Sequence, residues 1–262
     1  MSDVKRLPSG EEELPRMGLL DHLEELRKRL VRALLGFVVT FVICYGFSKQ
    51  IYAFLAIPIY EHLPEGTRLA FLGITDPFIL YLKVAALAGL FVGSPFIFYQ
   101  IWAFVAPGLY RREKRMAVPF IATGSLLFIA GGAFGYYVAF PFAVEFLLGI
   151  GEQFQPTITV TSYLSFLMTV IIGLGVMFEL PTLIFLLSRL GVVTPRFLLR
   201  HFRWAVLIIF TVAAVITPTP DIFNLCIFAL PTIGLYLVGV GVAWLFGPGK
   251  KAEDVGEPAV AD

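Results

Sequence analysis

The chain has very little charge for its length. Of its 262 residues only 15% are Asp, Glu, Lys or Arg, against about a quarter in an ordinary soluble domain. Hydrophobic residues make up 58%, including 26 Phe, and the mean hydropathy is +0.84. That balance excludes a disordered chain, which needs the reverse. It argues equally against a soluble enzyme, because long uncharged runs leave too little polar surface to face water. Cysteine is almost absent. Cys44 and Cys226 each lie inside an apolar run, so there is neither a disulfide framework nor a metal cluster, and cysteine says nothing about compartment. The three histidines, His22, His62 and His201, all fall outside the apolar runs, so no metal triad or Ser–His dyad can be built within a membrane. There is no phosphate-binding P-loop, and His22-Leu-Glu-Glu-Leu26 fails as a zinc-protease H-E-x-x-H at its last position. No internal repeat or low-complexity tract is present.

What remains is a set of long apolar runs. A helix needs about 20 apolar residues to cross a hydrocarbon core about 30 Å thick. Six runs are candidates, at about residues 30–47, 78–102, 117–140, 163–187, 204–216 and 222–246. They are continuous rather than alternating, which specifies helices and not barrel strands. The fold class is therefore an all-α polytopic membrane protein. The fifth run, at roughly 20 Å, is short for a bilayer. It is either a span beside locally thinned lipid or a buried re-entrant segment. Residues 1–16 and 247–262 are polar and rich in Pro and Gly, and read as disordered tails around a single membrane domain, 17–246.

The charges that do exist are placed unevenly. Of the 20 Lys and Arg, all but Lys49, Arg68 and Lys83 fall in four places: the N-terminal arm, the loop after the second run, the loop after the fourth and the C-terminal tail. Positive residues concentrate on the cytoplasmic side. Both termini are thus expected to be cytoplasmic, which needs an even number of spans, and the fifth run must then cross. The first run is long and followed by no small-residue cleavage site, so it reads as an uncleaved span.

Outside the runs, leucines at 19, 23, 26 and 30 mark a helical arm. Glu24–Lys28 and Glu25–Arg29 are i,i+4 pairs in the favourable order. The arm is expected to lie along the membrane interface with its basic face on anionic lipid. The loop from Ser48 to Pro77, broken by Pro58 and Pro64, is expected to form a short interfacial helix and a turn. The stretch from Pro141 to Ser162 also reads as interfacial, and the two could cover the outer face as a lid. Gly89–Gly93 and Gly131–Gly135 have the G-x-x-x-G spacing of close helix contacts, within the chain or between copies.

Three acids need a reason. Glu179 lies inside the fourth run, where an ionised carboxylate is costly unless paired or wet. Pro181 frees a backbone carbonyl nearby. Glu179 is either a protonated group bonded to that backbone or a polar site on a concave, water-reached face. Glu113 stands among Arg111, Arg112, Lys114 and Arg115, beside the apolar Phe104, Pro107 and Leu109. It is either a loop salt bridge or a fixed anion suited to a ligand with a guanidinium beside an apolar stretch, since Arg pairs with a carboxylate bidentately where Lys cannot. Asp221, before the sixth run, is placed to cap it.

At these residues the chain closely resembles the TatC family, the six-span core subunits of the twin-arginine protein translocase. The resemblance covers about residues 20–246. It rests on Asp21-His-Leu-Glu-Glu-Leu-Arg-Lys-Arg29, on Ser94-Pro-Phe-Ile-Phe-Tyr-Gln-Ile-Trp-Ala-Phe-Val-Ala-Pro-Gly-Leu-Tyr110 followed by Glu113, on Ser162-Tyr-Leu-Ser-Phe166, on Phe178-Glu-Leu-Pro181 and on the loop ending at Asp221. Two features depart from it. Thr217-Pro-Thr-Pro-Asp221 has one residue more than the usual Thr-Pro-Pro-Asp, and Asn224 and Leu225 stand where a Gln is common.

The resemblance implies a receptor without enzymatic activity or cofactor. It recognises signal peptides bearing paired arginines on folded cargo and organises export driven by the proton-motive force. Glu113 and Glu25 match the family's arginine-contacting carboxylates, with Arg27 and Arg29 in the arm motif and Phe104, Pro107 and Leu109 in the apolar part of the loop. Glu179 matches the intramembrane acid facing the single-span partner subunits of TatA/TatB type, and Pro58 a proline of the first outer loop. The implied setting is the cell (inner or plasma) membrane, with both termini inside, self-association into a multimeric receptor, and no nucleic acid or metal. Two other functions compete. A small-solute transporter could use Glu179 as a proton relay, but the spans hold almost no further polar residues besides Lys83. An intramembrane hydrolase would need a histidine or paired aspartates at depth.

Overall fold

A computed structural model of the chain describes residues 19–63, 68–106, 117–151, 153–154, 157–217 and 221–246. The two tails expected to be disordered lie outside the described residues, as do Pro107, Leu109 and Glu113. The rest is helical: α1 (Leu19–Gly46), α2 (Ser48–Leu55), α3 (Ile57–Tyr60), α4 (Asp76–Val105), α5 (Ala117–Phe134), a π-helical turn (Gly135–Ala139), α6 (Phe140–Ile150), α7 (Val160–Met177), α8 (Leu180–Arg189), α9 (Pro195–Arg200), α10 (Phe202–Ile216) and α11 (Ile222–Phe246). Extended pairing among the described residues is limited to a parallel bridge between Ala70 and Thr159. Five helical stretches are long and apolar enough to cross a membrane: Asp21–Gly46, Asp76–Val105, Ala117–Ile150, Val160–Arg189 and Ile222–Leu245. The fifth run forms a shorter apolar helix, α10, of 15 residues, about 22 Å long.

Two expectations fail. The arm is not a separate interfacial helix. Residues 19–46 form one helix of 28 residues, because no Gly or Pro interrupts it before Gly36 and the leucine stripe carries straight into the apolar run. The third span likewise does not stop at residue 140. It continues through α6 to Ile150, so Pro141 to Ile150 prolongs the helix instead of lying across the interface. A π-helical turn makes this continuation possible: Pro141 has no N–H to donate, and Phe140 donates its own to Gly135 O, five residues back.

Small residues set the helix contacts. Thr40 of α1 donates its hydroxyl to Gly89 O of α4 (2.8 Å), and a Cβ at Gly89 would stand 2.9 Å from the Phe41 backbone. A Cβ at Gly131 would meet Leu174 O at 2.6 Å, and one at Gly135 would meet Ile171 Cα at 3.1 Å. Both G-x-x-x-G pairs are therefore contacts within the chain, α1 on α4 and α5 on α7. Along the bundle, α4 also packs on α5 and α7, α8 on α11, and α10 on α11. Phe140, Leu164, Leu167, Leu174 and Phe228 fill the interior. Leu34, Val38, Val42 and Ile43 of α1 remain exposed, as lipid-facing residues do.

Prolines inside spans need substitutes for lost hydrogen bonds. Pro95 cannot bond Phe91 O, and the Ser94 hydroxyl donates to that carbonyl instead (2.8 Å). At α2 the chain uses tyrosines. Tyr136 donates to Phe54 O (2.6 Å) and Tyr163 to Leu55 O, satisfying end carbonyls that a helix leaves open. These bonds, with Ala70 N–H to Ile158 O and Val160 N–H to Ala70 O, tie the first connecting segment down as a cap over one end of the bundle. Tyr52, within the cap, is pushed up to about 12, first by burial and then by Tyr60 and Tyr81 beside it.

Candidate functional site

The arm end of the molecule lies opposite this cap. There α1 presents Glu24, Glu25, Lys28 and Arg29 within two turns, because residues three and four apart share a helix face. Glu24 and Lys28 form an exposed ion pair at 2.7 Å. The Glu25–Arg29 pair differs from it. Arg29 Nη2 donates to Glu25 Oε1 at 3.2 Å, with only 18% of the Glu25 side chain exposed. Glu25 Oε2 is buried and has no hydrogen-bond partner among the described residues. A buried carboxylate oxygen left open is costly, so this acid is half-committed and ready for another donor. Asp21, Glu24, Glu25, Lys28, Arg29 and Arg32 line a polar depression of about 380 Å³.

The site residues expected from the sequence divide here. Phe104, near the end of α4, stacks on His22 of α1, with ring centroids 4.5 Å apart and planes at 28°. His22, Glu25 and Arg29 follow the i, i+3, i+7 pattern, so Phe104 is held at the same face as the Glu25–Arg29 pair. Arg27 is exposed and sits about 200° around the helix from Glu25, on another face. His22 was not among the expected site residues. Its signal was available, as the one aromatic residue on the polar face of the arm.

Glu179 stands at a break in the fourth span. Pro181 ends the α7 ladder, Glu179 N–H donates to Val176 O three residues back (3.1 Å), and α8 restarts at Leu180. Both carboxyl oxygens are sealed from solvent and lack a hydrogen bond of normal geometry; the Thr182 hydroxyl and the Phe128 backbone approach them. The carboxyl thus neither takes up the freed backbone carbonyl nor reaches water, so both alternatives expected from the sequence fail for the chain by itself. Pro58 is buried in the first turn of α3, and its carbonyl meets His62 Nδ1 at 2.7 Å. Asp221 caps α11, accepting from Asn224 N–H (2.7 Å) and from the Asn224 side-chain amide (2.8 Å). Asn224 is almost fully buried; its sequence signal was only a missing Gln.

No group of three or more His, Cys, Asp or Glu arranged for a metal occurs among the described residues. Several membrane-length apolar helices, with a half-paired carboxylate at one end and a second buried carboxylate at depth, define the class of multi-pass helical membrane proteins. The family model described as Sec-independent protein translocase protein (TatC) matches residues 21–231. The TatC protein of Koribacter versatilis is 46% identical over 92% of this chain and 90% of its own length, and that of Escherichia coli K12 is 36% identical over 90% and 92%. A crystal structure of a twin-arginine translocase receptor, TatC, superposes with a TM-score of 0.74 at 33% identity, covering 86% of this chain and 98% of the other. This chain belongs to the TatC family and is a component of the Sec-independent protein translocase.

Proposed function

We propose that the chain is the receptor and core subunit of its translocase, binding paired-arginine signal peptides of folded cargo through Glu25 and Glu113. The observation that carries this reading is the open Oε2 of Glu25, buried beside Arg29 and next to the His22–Phe104 stack. A guanidinium fills such a vacancy well, because its planar fork can grip one carboxylate with two N–H groups. Phe104, with Pro107 and Leu109 of the adjoining loop, offers apolar contact to the residues after the arginines. The surrounding Lys and Arg repel indiscriminate basic tails, so two carboxylates within a cationic surface select a closely spaced pair. Arg29 holds Glu25 in place, and Arg27, on the other face, contributes to the repelling field.

This reading puts both termini in the cytoplasm and the chain in the cell membrane. Glu179 lies on a concave face where single-span subunits of TatA/TatB type dock, and copies of the chain associate in the receptor complex. The proton-motive force drives export, and the chain itself performs no covalent chemistry. The test is photo-crosslinking of a twin-arginine peptide to the reconstituted chain. Glu113→Gln should abolish it and Glu25→Gln should weaken it about ten-fold, and Arg→Lys in the peptide should weaken binding more than equal charge predicts. Undiminished crosslinking to the double variant would overturn the proposal.

A further inference from the structure

Lys83 is the one basic residue of α4, and the receptor reading gives it no task. It lies seven residues in from Asp76, about 10 Å along the helix. The 30 residues of α4 measure about 45 Å, so a hydrocarbon core of about 30 Å leaves roughly 7 Å at each end. The Lys83 backbone is therefore a few ångströms below the boundary on the cap side. From that depth a lysine reaches the headgroup level by extending its stem.

Its partners are few. Lys83 Nζ donates to Ser165 Oγ of α7 at 3.2 Å. Lys83 takes no part in the α1 ion pairs, and its contact among the described residues is with a hydroxyl and not a carboxylate. Asp76, on the same helix, is engaged: its Oδ2 accepts from Leu72 N–H (3.1 Å) and Gly73 N–H (2.8 Å). An ammonium carries three donors, and one is used. The side chain is half-buried, beside the half-buried Ser165 and the exposed Thr169 one turn further along α7. Helical spacing sets Ala86 and Leu90 below Lys83 on α4, and Ile172 and Val176 below Thr169 on α7. The result is a cation with a hydroxyl at its side and apolar residues leading inward from it along both helices.

We infer that Lys83 and Ser165 form a binding site for the phosphate of an anionic phospholipid in the cap-side leaflet, with an acyl chain running inward along the apolar residues of α4 and α7. Charge complementarity selects this occupant. Among the described residues no carboxylate pairs with this cation, and the bilayer supplies an anion at that depth without a second protein. The inference rests on the membrane-spanning fold and on neither carboxylate of the peptide site.

The experiment uses the full chain in nanodiscs containing phosphatidylglycerol with a photoreactive group near the headgroup, in a phosphatidylcholine background. Crosslinked peptides are mapped, which separates this site from the basic arm end. The expected result is labelling within residues 79–90 and 162–176 that falls at least five-fold in Lys83→Gln, falls less in Ser165→Ala and persists in Lys83→Arg. Labelling at the arm end should be the same in all variants, which also verifies their fold. Three results would overturn the inference: labelling confined to the arm end, labelling here that is indifferent to Lys83→Gln, or equal labelling by a phosphatidylcholine probe. So would a zero-length crosslink from Lys83 to a partner protein's carboxylate that displaces the lipid, since the site would then be a protein contact.

Discussion

The imidazole of His22 stacks against the ring of Phe104 at 4.5 Å, joining the arm of α1 to the far end of α4 directly before the loop that carries Glu113. In the proposed receptor this contact holds the end of α4 against the arm that carries Glu25. An aromatic pair contributes about 0.5–1.5 kcal/mol beyond its buried area. His22→Ala should therefore weaken twin-arginine peptide binding by a few-fold to about ten-fold, with thermal stability nearly unchanged, and His22→Phe should restore most of it. Titration of the peptide against the three proteins in detergent measures this. Equal affinities would mean that the stack does not organise the site.

The Gly131 contact gives a stability prediction. Its Cα faces Leu174 O so closely that an added Cβ would stand 2.6 Å away, with Phe178 at 2.8 Å. Neither obstacle yields easily, because one is backbone and the other a ring root packed on Phe134. Gly131→Ala should cost on the order of 1–3 kcal/mol, as overpacked cores do. Gly234, whose added Cβ would meet nothing within 4 Å, is the control and should tolerate Ala. Thermal unfolding followed by fluorescence-detected size exclusion distinguishes them, and equal melting temperatures would contradict the close approach.

Tyr163 donates to Leu55 O across the boundary between a span and the cap. Tyr163→Phe keeps the ring, which packs edge-on against Phe140, and removes only the hydroxyl. A buried carbonyl left open costs about 1–3 kcal/mol. The loss should be local: amide hydrogen exchange should speed up in α2 while α4 and α7 stay protected. Unchanged exchange in α2 would show that the hydroxyl does not hold the cap down.

How far the sequence reaches depends on the kind of cause. The apolar helices themselves are legible because apolar runs act over tens of residues. The length of α1 is not legible because polarity changes near Leu30 while helical register does not, and register decides where a helix bends. The π-helical turn was hidden because it answers a single proline, Pro141, that also suits the start of a new segment. Asp221 was legible as a cap from its place before an apolar run, whereas Asn224, its hydrogen-bond partner, was not, since nothing local distinguishes a buried amide from a surface one. At the candidate site, Glu25–Arg29 followed from i,i+4 spacing. The open oxygen of Glu25 and the His22–Phe104 stack did not, because both depend on how α1 and α4 come together across the length of the chain.

Glu179 permits a separation of stability from function. Its two oxygens are buried and make no regular hydrogen bond, so the fold gains nothing from the carboxyl. Replacing it by an amide or a hydrocarbon of similar size removes a desolvated polar group without breaking a network. Glu179→Gln should leave the melting temperature unchanged, and Glu179→Leu should leave it unchanged or raise it. Both should diminish co-purification of single-span partner subunits if the carboxyl is kept for them, with Leu more damaging than Gln because it cannot accept or donate. A large fall in stability in Glu179→Gln would show instead that the acid supports the break before α8. Retained partners in Glu179→Leu would remove it from the docking face altogether.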